Sequence, residues 1–123
     1  MSWFSKKEED SKIAWVNLED VTELEQIKKA SNEKAIAIFK HSTRCSISSM
    51  AKSKLERDWD LTTEELTIYY LDLIQFRNIS NEIAALFSVE HQSPQILLIK
   101  NGAVVYHTSH SGISASELKK QLE

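Results

Sequence analysis

Apolar residues are arranged along this chain in two ways. Some form short unbroken runs, and others recur every three or four positions between polar ones. The first arrangement marks strands covered on both faces, and the second marks helices with one buried face. Residues 34–39, 66–72, 95–100 and 103–108 are runs of the first kind, and 13–18 reads as a shorter edge strand. Residues 20–32 read as a helix, with Thr22 and Glu25 spaced as a capping box. A second helix runs from Cys45 or Ser46 to Trp59, with Ile47, Met50, Ala51, Leu55 and Trp59 on one face and Ser42 and Thr43 suited to capping it. A third covers 78–89, with Ser80 as its cap and Ile79, Ile83, Ala84, Leu86 and Phe87 inward. Ser114 and Glu117 form a second capping box before a terminal helix to Leu122. Asn101–Gly102 is a hairpin turn between two of the runs. The order β-α-β-α-β-α-β-β-α predicts an α/β fold. Helical crossovers make parallel strand pairs and the hairpin makes an antiparallel one, giving a mixed central sheet of four or five strands with helices on both faces.

With 123 residues the chain is one domain's worth. Residues 1–12 are expected to be a polar arm, with Trp3 and Phe4 read as a pair that docks on the domain; 13–123 form the domain. The formal net charge of -3 gives no basic field for nucleic acid. Lys52, Lys54 and Arg57 come nearest to a basic cluster, but Glu56 and Asp58 between them mark a solvated helix face. No apolar run approaches the roughly 20 residues of a membrane span, and the first ten residues have no signal-peptide core. The expectation is a cytoplasmic protein without membrane or nucleic-acid partners.

Cys45 is the only cysteine, so no internal disulfide is possible. It follows a buried strand by a short polar loop and opens a helix. There the helix dipole and the unbonded backbone N–H groups favour a thiolate, with Arg44 and His41 nearby and Ser46 and Ser48 as hydroxyl donors to the sulfur. A buried, inert cysteine is the competing reading, and the polar neighbours on both sides favour the reactive one. Pro94, the only proline, fits the first residue of a strand; the Ser93–Pro94 bond is either cis or an ordinary trans turn. His41, His91, His107 and His110 lack metal-ligand spacing, and His107 and His110 are expected to be exposed. Asp72, at a strand end, is read as capping the next loop rather than as an interior proton acceptor. Trp15, Tyr69 and Tyr70 are read as core or interface aromatics. No phosphate-binding loop or paired carboxylate stands out.

Ala35 to Ser48, Tyr69 to Asp72, Ser80 to Ala84 and Val89 to Gln95 together resemble the monothiol bacilliredoxin family over nearly the whole chain, from about Trp15 to Leu122. Thr43-Arg44-Cys45-Ser46-Ile47-Ser48 is similar to that family's active-site motif, except that Ser46 stands where proline is common. The resemblance implies a thioredoxin-like fold in which Cys45 is the attacking thiol and Ser48 replaces a resolving cysteine. It also implies that Ser93–Pro94 carries a cis-proline facing the substrate. The implied activity is monothiol thiol–disulfide exchange that removes a low-molecular-weight thiol, bacillithiol, from protein mixed disulfides. The partners would be thiolated proteins and the small thiol as co-substrate, with no bound cofactor and no metal. Two other readings stay open. One is a non-catalytic binding or redox-sensing module, which would show an ordinary alkylation profile. The other is a monothiol iron–sulfur carrier, against which the absence of glycine in residues 45–48 counts.

Overall fold

The apolar runs pair into one sheet. The computed structural model describes residues 12–123, so the arm expected over 1–12, with Trp3 and Phe4, lies outside the described residues except for Lys12. The elements in chain order are β1 (Val16–Asn17), α1 (Glu23–Ala30), β2 (Ile36–His41), α2 (Ser46–Asp58), β3 (Thr67–Asp72), α3 (Arg77–Phe87), β4 (Gln95–Lys100), β5 (Ala103–Ser109), a single 3-10 turn (His110–Gly112) and α4 (Ala115–Leu122). The strand order is β1-β3-β2-β4-β5. β2 pairs parallel with β3 and antiparallel with β4, and β5 joins β4 antiparallel. No helix among the described residues is long and apolar enough to cross a membrane.

Both sheet faces are covered, which is why the central strands read as continuous apolar runs. Ala37 and Phe39 of β2 point into a core shared with Leu55 of α2 and Leu118 of α4. Ile36 and Ile38 point the other way, into a core with Leu24 and Ile27 of α1 and Ile83 of α3. Edge strand β1 is shorter than its sequence run because only Val16 and Asn17 pair, with Tyr69 and Tyr70. On either side of that pairing, Ile13 and Leu18 are buried in different cores, so the chain crosses the sheet edge within the run.

Local chemistry accounts for the turns. Asn101 and Gly102 have φ of 53° and 78°, the left-handed pair that a two-residue hairpin demands. Their backbone N–H groups donate to the carbonyl and Oγ of Ser31, anchoring the hairpin on the end of α1. Ser114 Oγ accepts from the N–H of Glu117 at 3.1 Å, capping α4 as expected. The Thr22 box does not form. Asp20 Oδ1 takes both the Thr22 N–H and its hydroxyl, at 2.9 and 2.8 Å, leaving Thr22 no oxygen aimed into the helix. Neither Ser42 nor Thr43 caps α2, whose N-cap is Cys45. α3 begins at Arg77, which places Ser80 inside the helix, where its hydroxyl meets His91 instead of an end N–H group.

Phe39 is fully buried and lies 5.7 Å from the Trp15 ring. Phe39→Ala is expected to cost about 3–5 kcal/mol of stability, seen as a lower urea midpoint with an unchanged m-value.

Candidate active site

β2 extends two residues further than its apolar run suggests. Lys40 and His41 belong to the strand, paired with Leu71 and Asp72 of β3, and both are buried. On the other side Lys40 pairs with Gln95. The loop leaving β2 (42–45) and the segment entering β4 (93–94) therefore emerge side by side at one end of the sheet.

Cys45 is half-buried. Its N–H donates to the Ser42 carbonyl at 3.1 Å and its own carbonyl accepts from Ser49 N–H at 3.1 Å, so it closes the loop and starts the helix. Thr43, Arg44 and Ser46 are exposed around it. The Ser93–Pro94 peptide is cis, Pro94 is buried, and the Pro94 carbonyl accepts from His110 N–H at 3.1 Å.

The helix that Cys45 opens is rotated relative to expectation. Ile47 and Met50 are 53% and 70% exposed, whereas Ser48 is fully buried. The inward stripe of α2 is Ser48, Ala51 and Leu55. A polar residue at the stripe's first position is paid for by two hydrogen bonds. Ser48 Oγ lies 2.7 Å from His41 Nδ1 and accepts from Ser42 N–H at 3.0 Å. Ser48 Oγ is thus engaged with the end of β2 and the loop. Ser46 is exposed.

His41 also departs from expectation. Burial, and then the nearby Lys52 ammonium, hold its pKa below the ordinary histidine value despite opposing pulls from Asp72, Glu56 and Ser48. The ring, stacked on Phe39 and near Tyr70, is neutral at pH 7 and lends Cys45 no positive charge.

A second polar cluster lies under the 91–94 segment. Lys40 is fully buried, and its Nζ sits 3.3 Å from His91 Nδ1; Ser80 Oγ is 3.2 Å from the same nitrogen. An ammonium only donates, so Nδ1 accepts and the His91 proton resides on Nε2. Burial and the cations Lys40 and Arg77 hold the His91 pKa down. Desolvation lowers Lys40 to about 8. Gln95 braces the same segment, donating to the Glu90 carbonyl at 3.0 Å and accepting from Gln92 N–H at 3.4 Å.

The remaining candidates take structural roles. Asp72 Oδ1 accepts from the N–H groups of Ile74 and Gln75, capping the loop after β3. His107 and His110 are exposed. Among the described residues, no three His, Cys, Asp or Glu side chains are grouped to hold a metal. The Ser48–His41 and Lys40–His91–Ser80 clusters escaped sequence reasoning. The one available signal was a helix face that fits burial better through positions 48, 51 and 55 than through 47 and 50.

Residues 16–118 match the family model described as monothiol bacilliredoxin BrxC. Among solved structures, one described as a candidate oxidoreductase with a thioredoxin fold superposes with a TM-score of 0.75 at 28% identity, covering 100% of each chain. A thioredoxin of Malassezia sympodialis superposes at 0.67 with 16% identity, over 91% of this chain and 89% of that one. The thioredoxin of Fasciola hepatica does so at 0.61 with 22% identity, over 86% and 94%. The fold is thioredoxin-like.

Ser48→Ala leaves a buried ring nitrogen and a loop N–H without their partner. It should cost about 1–3 kcal/mol in chemical denaturation and raise hydrogen exchange at the Ser42 amide. For Lys40 the sign follows from its low pKa. Between pH 8 and 10.5 the unfolded lysine holds its proton while the folded one has released it, so wild-type stability rises with pH across that window. Lys40→Met should therefore be more stable than wild type at pH 7 by on the order of 2 kcal/mol, the difference shrinking in urea titrations repeated above pH 9.

Proposed function

The chain belongs to the monothiol bacilliredoxin family, and from that premise we propose that it is a thiol–disulfide oxidoreductase that removes bacillithiol, a low-molecular-weight thiol, from protein mixed disulfides through Cys45. The observation that carries this reading is the position of Cys45. It is the sole cysteine and the N-cap of α2, with a buried serine one turn later where a resolving thiol would stand.

The chemistry needs two exchanges. The Cys45 thiolate attacks the small-thiol sulfur of the mixed disulfide; that S–S bond breaks, the substrate protein leaves as its thiolate, and Cys45 keeps the small thiol in a new disulfide. A second small-thiol molecule, as thiolate, then attacks the sulfur of the thiol held on Cys45. The symmetric disulfide departs and the Cys45 thiolate is restored. Electrons come from the second thiol, so no bound cofactor is required. The Ser93–Pro94 segment, beside the Cys45 loop, supports binding: the Ser93 backbone would pair with an extended stretch of the substrate protein. Exposed Thr43, Arg44, Ser46 and Ile47 frame the approach to the sulfur.

The test is single turnover with a protein carrying bacillithiol in mixed disulfide. Wild type should release the protein thiol and gain the mass of one small thiol on Cys45, and Cys45→Ser should do neither. Equal release by both proteins overturns the reading, as does release without an adduct.

A further inference from the structure

The side of α2 that turns away from the sheet forms one wall of an open groove of about 590 Å³, whose other wall is the 3-10 turn after β5. Ile47, Met50 and Ile113 supply apolar lining, and Lys54, Arg57 and His110 supply the polar rim. No acidic side chain lines it among the described residues. This is conspicuous in a chain of net charge -3. The three basic residues noted in the sequence divide here. Lys52 turns the other way, with its Nζ 2.9 Å from Glu56 and 5.5 Å above the Trp15 ring, whereas Lys54 and Arg57 face the groove. Arg57 has an ion pair with Asp58 at 3.1 Å, and with both side chains largely exposed such a pair is weak enough to exchange.

We infer that this groove docks the substrate protein itself, taking an extended segment next to its thiolated cysteine that is apolar near the cysteine and acidic farther out. The inference rests on the exchange reading above and identifies the substrate it prefers. Length selects the occupant. Cys45 and Arg57 are twelve residues apart, nearly all of that helix, which at about 1.5 Å per residue is roughly 18 Å. About five or six extended residues at ~3.3 Å each span that distance, whereas a small thiol bonded to Cys45 ends well short of it. Ile47 and Met50 come first along the path from the sulfur, and Lys54 and Arg57 follow, which orders the apolar and acidic positions. Charges at a rim act on encounter and selectivity more than on chemistry, so the groove should sort substrates without changing the exchange step.

The experiment uses short peptides with one cysteine in mixed disulfide with the small thiol. A leucine stands two residues from the cysteine and a pair of glutamates or lysines five and six residues away, in either chain direction. With wild type, the glutamate peptide of one direction should show a kcat/KM about tenfold above its lysine counterpart, and Lys54→Glu/Arg57→Glu should reverse that order. Both proteins should reduce a mixed disulfide of the small thiol with cysteamine at equal rates. Equal rates on glutamate and lysine peptides, or a preference that survives the double substitution, overturn the groove while leaving the exchange reading intact. Failure of wild type on the cysteamine disulfide removes the exchange reading and the groove with it.

Discussion

The site depends on a constraint at the end of β2: Lys40 and His41 are polar, and the strand that carries them is covered on both faces. A buried polar group without a partner costs more than most contacts can return. Each of these two side chains has therefore acquired one, from elements far away in sequence. His41 meets Ser48 of α2, and Lys40 meets His91, which in turn meets Ser80 of α3. Because successive side chains of a strand point to opposite faces, one pair lies in each layer. These contacts hold the two segments around the sulfur in place: Ser48 also holds the 42–45 loop, and His91 lies two residues before the cis-proline segment.

Most of the fold was legible because its signals are local. Unbroken apolar runs, an Asn-Gly turn and a serine cap act within a few residues, and the strand pairing follows from the connections between them. The exceptions occur where a distant partner decides. Lys40 and His41 read as the beginning of a polar loop, since nothing adjacent shows that His91 and Ser48 will satisfy them inside. Ser48 reads as a hydroxyl donor to the sulfur and Met50 as core, and a single serine bonded to the strand end reverses both. Thr22 lost its capping role to Asp20, two residues away, a competition between oxygens that spacing alone does not resolve.

The candidate site divides in the same way. The position of Cys45 at the start of a helix follows from composition and order, and so does its lack of a partner cysteine. The state of its surroundings does not. Proximity in sequence suggested a charged histidine beside the sulfur, while burial and Lys52 make His41 a neutral, structural ring. Arg44 and Ser46, by contrast, are exposed at the rim as their polarity suggests.

A chain with one thiol has no disulfide of its own. Whenever Cys45 is in a disulfide, the other sulfur belongs to a second molecule, and the buried Ser48 offers no way to close a ring instead. A dithiol protein has a midpoint potential that is a property of the folded chain. Here the oxidised and reduced species differ in the number of molecules, so the midpoint shifts with the concentration of whichever thiol is paired with Cys45, and dilution alone changes how much of the protein is occupied.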